Sequence, residues 1–344
     1  MIEPGLEASL LEVLRRRTGA PDLRYAAPPV RVTGGFWAEI LAIRLEGAPP
    51  ELDRDLIVRI MPDSAIAARE TIVQSEVVSQ GFPAPPVRMT GEATDGLGRP
   101  FMVMDRAPGR TPLAEMPGPG ALAGVGRAAI RIPELLARTA AHLHALDAAP
   151  LRRSLAAVEG AIVDVGDLFG RLEERARDAN RPDLAGAARA LPGSRPASDR
   201  EAICHGDLHP FNLLVDRGRV TVVDWSVGLV ADPAFDLAFT AMTMALAPVN
   251  VPRPFRRPFR AAARGASRQF LRRYRHHAPT AGASLSDETL DWYMALHCLR
   301  ALVEVGEWVE TGTANDRAGH PWLMMAPQMA VRLGAMAGRS VRPM

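Results

Sequence analysis

Two carboxylates and an amide lie close together in the sequence, and their spacing suits the transfer of a phosphoryl group. Asn212 follows Asp207 by five residues, and Asp224 comes after a further run of strand-forming residues. In phosphoryl transfer one acid accepts the proton of the attacking hydroxyl, while an amide and a second acid hold Mg2+ against the nucleotide phosphates. The spacing therefore predicts Asp207 as the catalytic base and Asn212 and Asp224 as metal ligands.

Two histidines flank Asp207 and allow other interpretations. His205 is best explained as a residue that stabilises the loop, whereas His209 either has a structural role or reaches the phosphate or the substrate. A metallohydrolase could use His205, Asp207 and His209 as ligands, but it would need further clusters of histidine and aspartate that the sequence lacks. Phosphoryl transfer is the better interpretation of this stretch.

The first hundred residues alternate between strand-like and helical patterns, so they predict a small α+β lobe. Helices are expected over residues 1–20 and 65–79. Strands are expected in residues 30–44, with a hairpin at Gly34 and Gly35, and again in residues 55–61 and 101–106.

The remainder of the chain is mainly helical in pattern. Residues 112–127 are rich in proline, glycine and alanine and predict a loop, and Pro133 is expected to lead into a helix over residues 134–148. Further helices are predicted over about 167–190, 260–275 and 287–310. The motif itself continues into a hairpin whose turn is Asp216–Arg219.

The composition is that of an ordinary globular protein, with 344 residues, 47% hydrophobic residues and a net charge of +2, so no nucleic-acid partner is expected. The cysteines Cys204 and Cys298 form no disulfide framework, which favours a reducing compartment. The longest charge-free apolar stretch, residues 237–249, is shorter than the roughly 20 residues of a membrane span. The N-terminus has no apolar signal region. We therefore expect a soluble, cytoplasmic protein with no membrane span.

The motif H-G-D-L-H-P-F-N at residues 205–212, followed by V-D-W at residues 223–225, resembles the signature of the aminoglycoside phosphotransferase family. The members of this family are small-molecule kinases with a bilobal, protein-kinase-like fold. The resemblance covers nearly the whole chain, although only the motif pair is specific. It implies an α+β architecture in which residues 1–105 form a small β-rich nucleotide-binding lobe, residues 106–110 a hinge, and residues 111–344 a larger, mainly helical lobe with the catalytic loop and the acceptor pocket.

The sequence departs from the family at one position, because it contains no lysine and all 41 basic residues are arginine. The family has a lysine on its third strand that bridges the nucleotide phosphates and a helix glutamate. Here Arg59 takes that position, and a guanidinium can bind phosphate or carboxylate through two donors. The resemblance implies Glu70 as its partner, with Glu76 as the alternative, although Arg59 could also be a surface residue of the strand.

Other site residues are implied by their positions in the resemblance alone. Gly34 and Gly35 would form the turn that covers the phosphates, and Met104 to Arg106 would offer backbone groups to the adenine edge. By analogy Asp236 would brace the catalytic loop, while Asp232 is equally well explained as a helix N-cap.

Two charged segments allow more than one interpretation. Residues 251–277 hold nine arginines and no acid. They predict a solvated helix face or, less simply, a surface for an anionic partner. Glu304, Glu307 and Glu310 are spaced to share one helix face, which predicts an exposed acidic face or a pocket for a polycationic substrate.

The residues together predict a phosphotransferase that uses ATP and Mg2+ and acts on a hydroxyl of a small molecule. The alternative is a nucleotide-binding, pseudokinase-like module with weak or no turnover, in which Arg59 marks a decayed site. Intact Asp207, Asn212 and Asp224 argue against decay.

Overall fold

The computed structural model describes residues 5–32, 38–112, 122–246, 253–283 and 285–344, and the predicted turn at Gly34 and Gly35 lies outside them. The strands are β1 (Arg24–Tyr25), β2 (Val30–Arg31), β3 (Glu39–Glu46), β4 (Asp55–Ile60), β5 (Val87–Gly91), β6 (Phe101–Asp105), β7 (Ala202–Cys204), β8 (Leu213–Asp216), β9 (Arg219–Val222) and β10 (Leu229–Ala231). The helices are α1 (Leu6–Thr18), α2 (Ser64–Ser79), α3 (Leu122–Leu143), α4 (Ala148–Ala156), α5 (Val165–Asp178), α6 (Pro182–Ala190), α7 (Ala234–Ala245), α8 (Arg256–His277), α9 (Pro279–Ala283), α10 (Asp287–Glu310) and α11 (Pro321–Ala337).

The chain divides into two compact units. The first unit comprises residues 1–111, 153–161 and 212–228, and the second comprises residues 112–152, 162–211 and 229–344. The first unit holds the main sheet, and the second is mostly helical, so the fold is the expected α+β class with an antiparallel N-terminal sheet and a helical remainder.

The sheet of the first unit is antiparallel, with strand order β1-β3-β4-β6-β5 and β2 paired to β3. Side chains alternate between the two faces of a strand. On β4 the buried Leu56, Val58 and Ile60 therefore share one core with Leu10 and other residues of α1. Arg59 points the other way, to the face that carries Met102, Met104 and the helix α2.

The hairpin of β8 and β9 also belongs to the first unit, as the sequence predicts. Its position depends on Gly109, which has a φ of 102° and passes so close to Val215 that a Cβ would lie 2.4 Å from the carbonyl oxygen. Only glycine combines this backbone conformation with so close an approach. The hairpin is therefore fixed against the segment that follows β6.

In the second unit, α10 is the central helix and packs against α5, α7 and α11. The pairing of β7 with β10, in which Cys204 lies opposite Leu229, fixes the start of the segment that contains Asp207. On α8 several arginines are exposed, so both interpretations of this segment stay open: Arg256, Arg257, Arg260, Arg264, Arg268 and Arg272.

Three predicted element bounds are wrong. Pro133 lies inside α3, which already begins at Leu122. Proline removes one amide donor from the helix, but the packing of α3 against α8 maintains the helix through this position. The predicted helix over residues 134–148 ends at Leu143, and α4 follows as a separate helix. The predicted helix over 167–190 is two helices, since Asn180 has a left-handed φ of 53° and Pro182 starts the next one.

Candidate active site

Arg59 and Glu70 form a buried ion pair within the first unit. Arg59 is 6% exposed and Glu70 is fully buried, and Arg59 Nε lies 3.0 Å from Glu70 Oε1. Glu76, the alternative partner, instead accepts a hydrogen bond from Gln80. Arg59 is therefore not a surface residue of the strand, and its partner is Glu70, as predicted.

Asp224 binds the same guanidinium. Arg59 Nη2 donates to Asp224 Oδ1 over 3.2 Å, and Ser226 Oγ donates to the same oxygen over 2.9 Å. Asp224 has a left-handed φ of 68°, a conformation that aspartate tolerates better than most residues. Arg59 therefore bridges a glutamate of α2 and one of the two predicted metal ligands.

Asn212 lies at the same end of the hairpin as Asp224. The amide of Val223 donates to the Asn212 carbonyl oxygen over 3.0 Å, which extends the ladder of β8 and β9 by one pair. The buried Asn212 and the partly exposed Asp224 are thus neighbours across the open end of the hairpin. Their amide and carboxylate oxygens are the donor types that Mg2+ prefers, so these two residues fit the ion.

Burial sets the electrostatics of this cluster. Desolvation raises the pKa of Glu70 to about 7, although Arg59 opposes the rise. Desolvation also lowers the pKa of Arg59, but Asp224 and Glu70 more than offset it, so the pKa of Arg59 is raised. Each charge thus depends on the other, and removal of Arg59 would leave a buried carboxylate without compensation.

Asp207 lies in the second unit on the loop that follows β7. Its side chain is 28% exposed, and Asp207 Oδ2 lies 3.4 Å from His209 Nε2. His205 is fully buried, and its Nδ1 accepts a hydrogen bond from the Asp207 amide over 3.3 Å. His205 therefore supports the loop, as the sequence suggests, and His209 is the neighbour of the Asp207 carboxylate.

Asp236 braces this loop from the first turn of α7. Its two carboxylate oxygens accept the amides of His205 over 2.8 Å and Gly206 over 2.6 Å, and His144 Nε2 lies 3.2 Å from Oδ2. Asp236 is fully buried, and the histidine contacts hold its pKa below the ordinary value against the effect of burial. Asp232 accepts the amide of Ala234 over 2.7 Å and pairs with Arg200, but the N-cap position of α7 is taken by Pro233. The bracing role of Asp236 is thus confirmed, whereas Asp232 is not the N-cap of α7.

We expect Asp236→Ala to lower the free energy of unfolding by about 2–6 kcal/mol, because two buried backbone amides would lose their acceptor at about 1–3 kcal/mol each. Turnover should fall as well, since the backbone before Asp207 would lose its anchor. Urea unfolding of the variant beside wild type measures the first effect, and kcat at a temperature where both are folded measures the second. Unchanged kcat in a folded variant would mean that Asp207 needs no such brace.

Sequence reasoning missed Arg300, which reaches the same loop from α10. Arg300 Nη1 donates to the Gly206 carbonyl oxygen over 3.0 Å and to His297 Nδ1 over 2.8 Å. Burial, together with Arg300, lowers the pKa of His297 to about 3, so this histidine is neutral and can accept. Arginine on an amphipathic helix is usually a surface residue, and the pattern gave no sign of this contact.

The three glutamates of α10 do not form a uniform exposed acidic face. Glu310 is exposed, and Glu307 accepts two hydrogen bonds from Arg175, each over 2.6 Å. Glu304 is only partly exposed, and desolvation raises its pKa to about 7 against the influence of Arg175 and Arg300. Only Glu310 matches the exposed interpretation.

The stability of a Glu304→Gln variant should rise relative to wild type as the pH increases from about 5 to about 8. Between the unfolded pKa of 4.5 and the folded pKa of about 7, native Glu304 holds a proton that the unfolded chain has lost, so wild-type stability falls with pH. The difference should reach about 2–3 kcal/mol. Urea unfolding across this range measures it, with the exposed Glu310→Gln as control, and a pH-independent difference would contradict the shift.

The predicted hinge residues lie at the end of β6. Met104 is buried and pairs with Ile57 and Val87 of the neighbouring strands. The amide of Arg106 donates to the Asp55 carbonyl oxygen over 3.0 Å, so this donor is already engaged within the first unit. Contact of Met104 and Arg106 with adenine stays a prediction.

Within the described part of the chain, His144, Cys204 and Asp236 are the one cluster of potential metal-binding side chains of three or more members. It does not contain His205, Asp207 or His209, and the Asp236 carboxylate is occupied by backbone amides. The metallohydrolase interpretation therefore gains no support. No helix among the described residues is long and apolar enough to cross a membrane.

The Arg59–Glu70 ion pair and the α+β fold agree with the kinase-type phosphotransferase that the sequence predicts. Residues 44–274 match the phosphotransferase enzyme family, and the chain belongs to that family. No curated protein sequence matches the chain closely enough to serve as a relative.

Solved structures share the fold at low sequence identity. A protein from Ralstonia eutropha, itself a proposed aminoglycoside phosphotransferase, has 17% identity and a TM-score of 0.65, covering 96% of this chain and 98% of its own. A variant of aminoglycoside phosphotransferase APH(4)-Ia in a complex with ADP and hygromycin B has 16% identity, a TM-score of 0.53 and the same coverage. Aminoglycoside 2'-phosphotransferase-IIIa with GDP has 15% identity and a TM-score of 0.54, again over 96% and 98%.

Proposed function

We propose that this protein is a Mg2+- and ATP-dependent phosphotransferase that moves the γ-phosphate to a hydroxyl of a small molecule. The bridge from Arg59 to Glu70 and Asp224 carries the proposal. The buried guanidinium of Arg59 lies between Glu70 and Asp224, and Asp224 is a proposed Mg2+ ligand. The guanidinium and the metal ion would together provide the positive charge that a bound triphosphate requires.

Asp207 accepts the proton of the acceptor hydroxyl, whose oxygen forms a bond to the γ-phosphorus while the bond from that phosphorus to the β-phosphate oxygen breaks. The products are the phosphate ester, ADP and a proton that Asp207 later releases to solvent. Arg59 contacts the phosphates through guanidinium donors that Glu70 orients. His209 holds the Asp207 carboxylate or contacts the phosphate.

Asn212 and Asp224 hold the metal in this proposal. When bound, Mg2+ supplies positive charge against the nucleotide phosphates. Arg59 and the ion would then share the Asp224 carboxylate, which leaves part of the guanidinium for the phosphates. Gly34, Gly35, Met104 and Arg106 complete the nucleotide site as expected from the family.

The nucleotide itself is supported by the ADP complex of APH(4)-Ia, while the GDP complex of 2'-phosphotransferase-IIIa makes GTP the competing donor. Neighbours named for aminoglycoside, macrolide, and choline or ethanolamine chemistry share the fold, so the fold does not select the acceptor.

The test is ADP release by the purified protein with ATP, with and without a panel of aminoglycosides, amino alcohols and sugars, each in Mg2+ and in EDTA. We expect release that needs both an acceptor and Mg2+. A protein that binds ATP but releases no ADP with any acceptor would instead be the nucleotide-binding module of weak turnover. Arg59, held by two carboxylates, is the feature that would then explain the loss.

A further inference from the structure

The peptide unit that joins Gly206 to Asp207 is held at both of its polar groups. Its carbonyl oxygen, that of Gly206, accepts a hydrogen bond from Arg300 Nη1 over 3.0 Å. Its amide, that of Asp207, donates to His205 Nδ1 over 3.3 Å. Because a peptide unit is planar, a rotation of this unit would break both hydrogen bonds at once. The two contacts therefore fix the backbone from which the Asp207 side chain projects.

Arg300 is itself oriented by two further residues. Its Nη1, the nitrogen that binds Gly206, also donates to His297 Nδ1 over 2.8 Å, and His297 Nε2 donates to the Phe235 carbonyl oxygen over 2.7 Å. The guanidinium also lies over the Phe235 ring, with 5.5 Å from Cζ to the ring centre. Burial lowers the pKa of His297 to about 3, so the neutral ring keeps one donor and one acceptor near neutral pH. Arg300 is thus held in one orientation.

The first turn of α7 anchors both Arg300 and the loop. Phe235 contacts Arg300 through its ring and His297 through its carbonyl oxygen. The next residue, Asp236, accepts the amide of Gly206 over 2.6 Å. Gly206 is therefore bound at its amide by α7 and at its carbonyl oxygen by α10, and all of these residues lie in the second unit.

We infer that Arg300 is a positioning residue for catalysis, which holds the peptide unit before Asp207 so that the carboxylate meets the acceptor hydroxyl in a reactive orientation. The inference rests on the proposed phosphoryl transfer at Asp207. A base must lie within hydrogen-bond distance of the hydroxyl, and a misplacement of about 1 Å can lower a rate about 100-fold. Arg300 needs no contact with the nucleotide or the acceptor for this effect.

The experiment compares Arg300→Met and Arg300→Lys with the control Arg332→Met. Methionine keeps an unbranched side chain and removes every donor. Lysine returns one charged nitrogen, and one nitrogen makes both hydrogen bonds of Arg300 in the wild type. Arg332 is an exposed arginine of α11 that pairs with Asp291, so the control removes a guanidinium of the same unit. Thermal unfolding verifies that each variant is folded, and Arg300→Gln replaces Arg300→Met if that variant does not fold.

We expect Arg300→Met to lower kcat about 10- to 100-fold while the KM values for ATP and for the acceptor stay within about 3-fold of wild type. Arg300→Lys should be at least about 5-fold faster than Arg300→Met, and Arg332→Met should keep the wild-type kcat. In an Asp207→Asn background, Arg300→Met should lower kcat by less than about 3-fold, because the base that Arg300 positions is already lost. A higher KM at unchanged kcat, or an equal loss of kcat in both backgrounds, overturns the inference.

Hydrogen exchange of the loop separates this inference from the proposed function, because it needs no turnover. In Arg300→Met the segment that contains the Gly206 and Asp207 amides should exchange about 10- to 100-fold faster than in wild type, since it loses a charged donor. In Arg332→Met it should exchange at the wild-type rate. An active enzyme in which Arg300→Met changes neither exchange nor kcat contradicts the inference alone. Faster exchange in a protein that releases no ADP with any acceptor contradicts the proposed phosphoryl transfer, and the catalytic role of Arg300 then falls with it.

Discussion

Asp207→Ala should lower kcat by about 100- to 10,000-fold while the affinity for nucleotide stays close to that of wild type. The carboxylate accepts the proton of the attacking hydroxyl, and that contribution exists only when the hydroxyl reacts. Asp207 lies in the second unit, whereas Arg59, Asn212 and Asp224 belong to the first, and the variant replaces none of these proposed phosphate- and metal-binding groups. Steady-state ADP release and calorimetry with ATP measure the two quantities.

Asp207→Asn is the matched variant, because it keeps the shape and removes the basic oxygen. Both variants should lose turnover to a similar extent and unfold at similar temperatures, since Asp207 is partly exposed and does not brace the loop. Normal turnover in either variant would remove Asp207 from the chemistry. If both variants lost the ability to bind ATP, Asp207 would instead act in nucleotide binding.

The sequence predicted the parts of this site that depend on local spacing. The interval from Asp207 to Asn212 and the short hairpin before Asp224 are properties of one continuous segment. Within such a segment, the patterns of turn and strand residues are strong predictors of local structure. The pairing of Arg59 with Glu70 needed the family resemblance, because helix periodicity alone does not decide between Glu70 and Glu76. Neither prediction required knowledge of distant contacts.

The groups that sequence reasoning missed or misjudged are those whose environment is set by tertiary packing. Glu304 and Glu310 have the same residue type on the same helix, yet Glu304 is only partly exposed and Glu310 is exposed, because α10 is central in its unit. Arg300 contacts Gly206 across 94 residues of sequence. Pro133 lies inside α3 for the same reason, because packing of α3 against α8 outweighs the local tendency of proline to end a helix.

Arg59→Ala is expected to have two separable effects. The free energy of unfolding should fall by about 3–5 kcal/mol, because Glu70 would remain buried without its counter-charge. The KM for ATP should rise and kcat should fall, together by about 100-fold or more in kcat/KM, because a phosphate-binding cation is lost. Chemical unfolding and steady-state kinetics measure these effects separately.

The double variant Arg59→Met with Glu70→Gln distinguishes the two roles. Removing both charges of a buried pair abolishes the uncompensated carboxylate, so most of the stability should return while kcat/KM stays low. Arg59→Lys should keep turnover within about 10-fold of wild type, since an ammonium can contact Glu70 or Asp224 but lacks the fork that spans both. Arg59 would be purely structural if the double variant regained activity together with stability, and the bridge to Asp224 would then have no part in binding phosphate.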